Sequence, residues 1–525
     1  MDPFLERRLA ELKTSREKAK SGGGKEKIDK LHAEGKLFAR ERIDLLLDPG
    51  SFYEINPLIG HYSGTPGDGI VTGSGTIEGR KVFVYSQDRT VQGGSIGLEH
   101  GVKMYECIER ALEMRVPLIG LNDSPGARAG GRSGSPGSGP LSIRSFSSFI
   151  SQKHGGSVFY PNTHASGIIP QISAILGTCA GIAVYSPALT DFVFMVDKTS
   201  HMMITGPAMV KVSIGEEISK EDLGGAKVHV QKSGVCDNRY STEEECLKQI
   251  RRLLSFLPLN CDEKPPVVHN GDDPNRSCME LHDIVPFKPS RAFDVRKVIK
   301  VIVDKGDFFE IKPEFAGEIV TGFGRLNGKT VGIVANNSNV RAGSLTVDSS
   351  DKQARFIRFC DCFNIPILIL VDTPAYMPGS AQEHAGIIRH GAKVLYALCE
   401  SVVPRITLVL RKAYGGGNLG MSVLPGLGTD LVLYWPTMEI GVLGVEQTVT
   451  LFYGMQEGMT KEKLEEKIEE YRNTTANPII DASFNVNVHD VVEPVETRSY
   501  LIRAFEMLEG KKKKLPQKRH GNIPL

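Results

Sequence analysis

The chain has 525 residues, of which 40% are hydrophobic and 24% charged, and its formal net charge is +1. This length exceeds what one hydrophobic core usually organises, so we expect two or more domains. The near-zero charge excludes a protein whose overall field would attract nucleic acid. There is no apolar run of about 18 residues, as a membrane-spanning helix requires, and the charged N-terminal arm lacks the apolar core of a signal peptide. We therefore expect a cytoplasmic protein.

After this arm, short apolar runs alternate with helical patterns. In chain order, the first half is predicted to contain a strand at 81–86, a helix at 96–114, a strand ending in Asp123-Ser-Pro, strands at 171–177 and 191–196, and a closing helix at 242–256. The second half gives the same order: a strand at 329–335, a helix at 349–362, a strand ending in Asp372-Thr-Pro, strands at 405–411 and 430–435, and a closing helix at 499–508. This alternation predicts parallel strands joined by right-handed crossovers.

The two halves are also similar residue by residue. The segment IVTGSGTIEGRKVFV at 70–84 recurs as IVTGFGRLNGKTVGI at 319–333, and 116–131 aligns with 365–380. Farther along, 169–183 aligns with 403–417. An internal repeat of this length predicts two homologous domains. We place them at residues 1–265 and 285–525, joined through a polar, Pro-rich stretch near 260–290.

A glycine-rich turn follows the third strand of each half. The first reads Gly177-Thr-Cys-Ala-Gly181-Ile-Ala183, and the second reads Tyr414-Gly-Gly-Gly417-Asn-Leu-Gly420. Ligands of α/β folds gather at the carboxyl ends of strands, where a turn that opens a helix leaves backbone N–H groups without partners. Two such groups can stabilise the oxyanion of a thioester enolate. The alternative is that the glycines only permit close packing of helix and sheet.

Other signals are weaker. The GxSxG pattern around Ser95 keeps only its serine in the second half, so a cap or turn role is favoured over a hydrolase nucleophile. His201, His384 and His390 are candidate bases, although single histidines are more often structural. The nine cysteines lack metal-ligand spacing, so we expect reduced core thiols and no metal site. The run 511–514, four lysines, is interpreted as a solvated tail, with anchoring of coenzyme A phosphates as the alternative.

Several ordered segments together resemble the carboxyltransferase (β) subunits of biotin-dependent acyl-CoA carboxylases, with propionyl-CoA carboxylase the closest, over almost the full length. They include THASGIIPQIS (163–173), YSPALTDFVFMVDKTSHMMITGP (185–207), PGSAQEHAGIIRHGAKVLYA (378–397) and RKAYGG (411–416). The resemblance implies an α/β fold of two tandem crotonase-like (ββα superhelix) domains. It also implies a homo-hexamer with acyl-CoA on the N-terminal domain and biotin on the C-terminal domain, the sites being shared between subunits.

The resemblance also assigns residues. Its two oxyanion pairs fall on the turns identified above, as Gly181-Ile182 and Gly416-Gly417, and these are the predicted catalytic residues. Predicted substrate-binding residues are Gly126, Ala127, Arg128, Ala180 and Leu419, and predicted cofactor-binding residues are Ala413, Tyr414 and Gly415. Ile182 departs from the family's Gly-Gly, and a Gly/Ser-rich stretch at 129–140 replaces a short polar run. Both departures bear on the acyl pocket.

The chain has no Met-Lys-Met biotin-acceptor motif and no P-loop. We therefore expect biotin on a separate biotin carboxyl carrier protein, a coenzyme A thioester as substrate, and a biotin carboxylase subunit or a membrane decarboxylase subunit as partner. The chemistry is expected to be of the propionyl-CoA carboxylase type or of the glutaconyl-CoA decarboxylase type. Since Asn418-Leu419-Gly420 is similar to the methylcrotonoyl-CoA branch, the expected preferred substrate is a four- or five-carbon enoyl-CoA, with glutaconyl-CoA and crotonyl-CoA ahead of methylmalonyl-CoA and propionyl-CoA. The alternatives are a crotonase-type hydratase or hydrolase acting without biotin, and a scaffold without activity.

Overall fold

The computed structural model describes residues 2–62, 64–128, 157–456 and 459–525. The chain divides into two compact units, Met1–Glu263 and Lys264–Leu525. The Gly/Ser-rich stretch at 129–140 lies outside the described residues. Among those that are described, no helix combines the length and the apolar character needed to cross a membrane.

The first unit contains eight described strands, β1 (Tyr53–Ile55), β2 (Ile70–Ile77), β3 (Arg80–Gln87), β4 (Leu118–Ser124), β5 (Gln171–Ala180), β6 (Phe192–Val196), β7 (His201–Met203) and β8 (Asn238–Tyr240). Its described α-helices are Pro3–Lys20, Lys25–Ala33, Ala39–Leu46, Leu98–Met114, Phe159–Ala165, Tyr185–Leu189, Pro207–Ile214, Lys220–Gly224, Ala226–Val228 and Glu243–Leu254.

The second unit contains, in its described part, β9 (Phe309–Ile311), β10 (Ile319–Leu326), β11 (Lys329–Asn336), β12 (Ile367–Thr373), β13 (Arg405–Tyr414), β14 (Leu431–Tyr434), β15 (Glu439–Gly441) and β16 (Asp490–Val491). Its described α-helices are Leu281–Ile284, Val295–Ile302, Val347–Cys362, Ser380–His384, Ile387–Glu400, Gly415–Gly420, Val445–Tyr453, Lys461–Asn473, Pro478–Phe484 and Thr497–Met507.

The two sheets have the same topology. The first sheet has the strand order β1-β2-β3-β4-β5-β6-β8, and β7 pairs with β5. The second has the order β9-β10-β11-β12-β13-β14-β16, and β15 pairs with β13. In each sheet the first three strands are antiparallel and the rest pair in parallel, as in β3 with β4 and β11 with β12. The internal repeat in the sequence is therefore a repeat of sheet order and direction.

The same irregularity occurs in both sheets. The register between β4 and β5 shifts between Asn122 and Ser124, and that between β12 and β13 shifts between Val371 and Thr373. The skipped residues are Asp123 and Asp372, both fully buried. A bulge bends a strand and re-aims the residues beyond it. Here it directs the last residues of β5 and β13 toward the glycine-rich turns.

Each buried aspartate is paired with an arginine, but the arginine comes from a different place. In the second unit Arg411 of β13 reaches the Asp372 carboxylate at 2.7 Å, and both side chains are 0% exposed. The repeat places Gly177 at the position of Arg411, and a Cβ on Gly177 would lie 2.0 Å from Asp123 Oδ1. The fully buried cation in the first unit is instead Arg42, 3.4 Å from Asp123 and held by a bidentate bond to Glu243, and the partly exposed Arg89 lies 3.3 Å from the same carboxylate. Both buried carboxylates thus keep a cationic partner.

Residues 264–294 are part of the second unit and do not form a free linker, contrary to the expected joining stretch. Cys278 and Leu281 are buried in its core, with Val295 and Val298. Arg411 also donates hydrogen bonds to the carbonyls of Pro286, Lys288 and Arg291 and so fixes the path of this segment.

The predicted elements exist with shifted ends. The third strands continue three residues beyond the predicted limits, to Ala180 and Tyr414. The closing helix of the first unit begins after Thr242, whose hydroxyl accepts a hydrogen bond from the Glu245 N–H, a favoured cap. Of the nine cysteines expected in the core, six are buried and two are half-buried, whereas Cys399 is exposed.

Arg411→Met removes one partner of a fully buried ion pair and leaves the Asp372 carboxylate only the more distant Lys412, 3.7 Å away, as a charge partner. We expect the second unit to lose about 3–5 kcal/mol of unfolding free energy. Urea unfolding followed by circular dichroism measures this loss. The exposed Arg503→Met is the matched control and should change stability by less than about 0.5 kcal/mol. Equal unfolding midpoints for the two variants would contradict the role given to Arg411.

Candidate active site

The first glycine turn lies directly after β5. Gly181–Val184 forms a 3-10 turn that leads into the helix Tyr185–Leu189, and Gly181 has φ +61°, a backbone conformation that favours glycine. The Gly181 N–H donates to Ile204 O at 3.1 Å. This predicted oxyanion donor is thus engaged within the fold, because β7 runs beside the end of β5. Of the predicted pair, Ile182 is the residue whose N–H has no backbone acceptor among the described loop contacts.

The loop after β4 packs against this turn. Gly126 has φ +102°, and a Cβ there would lie 2.6 Å from Ala180 O and 3.7 Å from Ile182 N. Ala127 forms a parallel bridge with Ile96, which holds the loop against the segment that follows β3. The structure therefore brings Gly126, Ala180 and Ile182 together, and their roles in substrate binding and catalysis remain predictions.

Arg128 points away from this cluster toward the start of the helix Leu98–Met114. Its guanidinium lies 2.6 Å from the Asp68 carboxylate and donates to Ser95 O at 2.9 Å. The Asp68 carboxylate also accepts the His100 N–H at 2.8 Å. Burial lowers the pKa of His100 to about 3, so this imidazole is neutral. In this conformation Arg128 orders the loop, while its contribution to substrate binding remains a prediction.

A small enclosed cavity adjoins the turn. Its volume is about 10 Å³, room for roughly one water-sized group. The lining residues are mainly apolar: Gln87, Ile96, Gly101, Met104, Val158, Phe159, Ile182, Ala183 and Ser186. The Ile182 side chain, which stands where the family has glycine, occupies part of this space.

The second glycine turn follows β13 in the same way. The helix Gly415–Gly420 begins there, and the N–H groups of its first turn have no acceptor inside the helix. A Cβ on Gly417 would lie 3.0 Å from the Thr373 side chain and 3.2 Å from Ala375, so the turn sits tightly against the loop after β12. Asn418 Oδ1 is buried without a hydrogen-bond partner in the described residues. Leu419 is 39% exposed.

Two of the predicted cofactor-binding residues are turned into the fold. Ala413 is fully buried on β13, and the Tyr414 hydroxyl donates to the Glu439 carboxylate at 2.6 Å. Burial and this hydrogen bond raise the pKa of Tyr414 well above its usual range. Both residues can position the turn, whereas Gly415, Gly416 and Gly417 present the backbone itself.

The second turn fits the ureido group of biotin. A ureido carbonyl is a hydrogen-bond acceptor and suits the N–H groups of Gly416 and Gly417, and the unpartnered Asn418 Oδ1 suits a ureido N–H. The glycine backbone leaves a surface that a side chain would otherwise cover.

The other candidate residues have structural partners. Ser95 accepts from Arg128 and donates to Gln92 O at 2.7 Å, while Gly97 occupies the helix cap, so Ser95 is a turn residue. His201 lies 3.3 Å from Glu221, and His390 lies 2.8 Å from Asp351. His384 is exposed.

Comparison with known proteins decides the family. Residues 30–523 match the carboxyl transferase domain model. The chain is 47% identical, over 99% of its length and all of the relative's, to the propionyl-CoA carboxylase carboxyltransferase subunit of Haloferax mediterranei. It is 44% identical to the methylmalonyl-CoA decarboxylase subunit alpha of Propionigenium modestum, with 99% of each chain covered.

The chain belongs to the carboxyl transferase family. Among solved structures, transcarboxylase 12S, described as a hexamer assembly with hydrolysed methylmalonyl-coenzyme A bound, superposes with a TM-score of 0.91 at 42% identity and 99% coverage of both chains. These relationships confirm the predicted fold class of two crotonase-like domains and the predicted biotin-dependent acyl-CoA carboxyltransferase with biotin on a separate carrier. They do not favour the alternative of a hydratase or hydrolase without biotin.

Sequence reasoning missed three groups around the carboxyltransferase turns. Ile204 O engages a predicted donor, Asp68 holds Arg128, and Thr373 packs on Gly417. Asp68 had a signal, since an acidic residue between two glycines in GTPGDG suggests a specific partner. The Ile204 contact had none, because it joins backbone atoms of two separate strands.

Gly181→Ala tests the first turn. An added Cβ would have room, with Ile204 O the nearest atom at 3.9 Å, but φ +61° costs a non-glycine residue about 1–2 kcal/mol. Relief of this strain would move the Ile182 N–H, so we expect the rate of carboxyl exchange between an acyl-CoA and biotin to fall at least tenfold. Gly215→Ala is the control, since Gly215 has φ +77° and no atom within 4 Å of an added Cβ. A similar loss of stability with unchanged activity in both variants would contradict a catalytic role for the turn.

Proposed function

We propose that this carboxyltransferase moves CO2 between carboxybiotin on a separate carrier protein and a short acyl-CoA, with propionyl-CoA and methylmalonyl-CoA as the preferred pair. The observation that carries the proposal is the pair of glycine turns at equivalent strand ends in the two units. Two carbonyl groups must be polarised in this reaction, one on the thioester and one on the ureido ring. The relatives named above support the choice of substrate pair.

The first turn is assigned to the thioester. The Ile182 N–H donates to the thioester oxygen, which becomes an oxyanion when the α-proton leaves, and one such donor is typically worth 10²–10³ in rate. The cavity beside Ile182 is lined mainly by apolar side chains, and its volume of about 10 Å³ admits no more than roughly one methyl-sized group. Acyl-CoA is therefore placed on residues 1–265.

The second turn is assigned to biotin, which supplies the carboxyl group when bound. The N–H groups of Gly416 and Gly417 polarise the ureido carbonyl, and Asn418 orients the ring through its free Oδ1. A new C–C bond at the thioester α-carbon replaces the C–N bond of carboxybiotin, and the α-proton replaces the carboxyl group on that nitrogen. No side chain of the protein is required as the base.

A short enoyl-CoA is the second candidate substrate. Its support is the segment Asn418-Leu419-Gly420 and the half-exposed Leu419, an apolar side chain at the second turn. Glutaconyl-CoA and crotonyl-CoA would be the corresponding pair, with γ-carbon chemistry.

The sites are proposed to be shared between subunits of a homo-hexamer. The helices Pro207–Ile214 and Val445–Tyr453 follow β7 and β15 at equivalent positions, one beyond each turn. Both expose large apolar side chains, with Val212 80% and Phe452 68% exposed. Apolar surface of this kind marks an interaction site. The further partners proposed are a biotin carboxyl carrier protein and either a biotin carboxylase subunit or a membrane decarboxylase subunit.

The first test uses free biotin. The purified chain should carry no covalent biotin and should release CO2 from methylmalonyl-CoA, or exchange labelled carboxyl groups with it, only when biotin is added. Streptavidin blotting and mass spectrometry check the first statement, and radiolabel exchange checks the second. Equal exchange without biotin would contradict the proposed biotin-dependent transfer.

The second test concerns assembly. Phe452→Glu places a charge on the apolar face and should shift the light-scattering mass toward the 57.4 kDa protomer, with loss of exchange activity. Phe287→Glu changes an equally exposed phenylalanine elsewhere, 73% exposed, and should change neither. A fully active protomer would contradict sites shared between subunits.

The third test concerns Leu419. Leu419→Asp places a carboxylate beside the second turn, where the half-exposed position tolerates it. We expect kcat/KM to fall more for the enoyl pair than for the saturated pair, and a tenfold change in their ratio equals about 1.4 kcal/mol of transition-state binding. Leu424→Asp, at a residue that is 44% exposed, is the control. A wild-type preference of tenfold or more for the enoyl pair would reverse the proposed order of substrates.

A further inference from the structure

The second unit contains a cavity of about 460 Å³ at the end of the sheet opposite to the glycine turn. Lys329, Pro366 and Pro404 line it, and each is the first residue of β11, β12 or β13 or directly precedes it. β13 then runs ten residues to Tyr414. At about 3.3 Å per residue, the cavity lies roughly 30 Å from the turn. It is therefore separate from the proposed biotin site.

The walls of the cavity are largely apolar. Besides prolines and the peripheral Val267 and Val402, they include five hydrophobic side chains: Leu326, Val331, Val403, Ile502 and Phe505. Four of these are buried, and Phe505 packs against the core. Small-molecule sites are typically about 300–1,000 Å³, mostly apolar, and contain a few placed polar groups. The size and lining match a site for an apolar chain.

The rim is positively charged. Six lysines and two glutamates line the cavity: Lys264, Lys329, Lys511, Lys512, Lys513, Lys514, Glu506 and Glu509. Lys511 forms an ion pair with Asp430 at 2.7 Å, and Lys329 forms one with Glu509 at 2.8 Å. In the part of the chain that is described, no carboxylate pairs with the lysines at 512–514. Their charge remains available to an anion.

One buried hydroxyl in the wall lacks a partner. Thr330 is 4% exposed, and its Oγ1 has no hydrogen bond within the described residues. A buried hydroxyl without a partner is unfavourable, and such groups are uncommon in folded proteins. A polar atom of a ligand in the cavity would satisfy it.

We propose that this cavity binds an anionic amphiphile, an unbranched apolar chain with a carboxylate or phosphate head. The chain lies along Val331, Val403 and Phe505, and the head is held by the lysines at 512–514 with a hydrogen bond from the Thr330 hydroxyl. Free fatty acids and long-chain acyl-CoA share this chemistry. The inference does not depend on the proposed carboxyl transfer, since binding alone tests it.

The experiment is calorimetric titration of the full chain with dodecanoate, without biotin. Hexanoate should bind at least 30-fold more weakly, because transfer of each methylene from water is worth up to about fourfold in affinity. Dodecanol, which lacks the charge, should bind at least tenfold more weakly. Displacement of dodecanoate by dodecanoyl-CoA at lower concentration would identify acyl-CoA as the source, and failure to displace it would identify the free acid.

Two variants locate the site. Lys512→Gln/Lys513→Gln/Lys514→Gln should raise the Kd of dodecanoate at least tenfold, whereas the control Lys18→Gln/Lys25→Gln/Lys30→Gln, at exposed lysines of the first unit, should not. Thr330→Val should raise the Kd two- to tenfold without lowering the unfolding midpoint, because its hydroxyl has no partner to lose. Unchanged affinity in the triple 512–514 variant, equal binding of dodecanol, or binding of a polyglutamate peptide in place of dodecanoate would overturn the proposal. The last result would indicate an acidic protein partner.

Discussion

The buried carboxylate at the end of the second parallel strand is the constraint on which both sites depend. Asp123 and Asp372 lie at the register shift between neighbouring strands, and this shift aims β5 and β13 into their glycine turns. A buried charge is tolerated only with a partner, so an arginine must be close by. The carboxylate therefore ties the bend of the strand to the position of an arginine.

The two units meet this requirement in different ways. Arg411 is supplied by the neighbouring strand and also gathers the carbonyls of residues 286–291. In the first unit Gly177 replaces it, and Arg42 arrives from an N-terminal helix with Glu243 as second partner. The two homologous domains therefore share the buried aspartate but take its arginine partner from different elements of the fold. Consequently the N-terminal helix that carries Arg42 packs near the first site, and residues 264–294 pack near the second.

The glycine turns differ in what they offer a ligand. In the first, the Gly181 N–H is used by Ile204 O, and Ile182 adds a side chain next to a small apolar cavity. In the second, three successive glycines leave the backbone open, and Asn418 adds a free acceptor. One turn suits a thioester with a short apolar group, and the other suits a polar ring. This difference agrees with two substrates, a thioester and a ureido ring, that both carry a carbonyl oxygen to be polarised but otherwise differ in structure.

The sequence by itself determined the repeat, the order of the four central strands in each half, the position of both turns along the chain and the family, but not the antiparallel strands that begin each sheet. These features depend on local periodicity and on the spacing of glycines within about ten residues, which a chain displays directly. Only the tertiary structure decided that Ile204 engages Gly181, that Arg128 turns to Asp68, and that the polar stretch at 264–294 folds against Arg411. Each of these contacts joins segments 23 or more residues apart, and hydrogen-bond donors and acceptors of that kind are present on every residue. Their choice of partner is fixed only when the sheet brings the strands together.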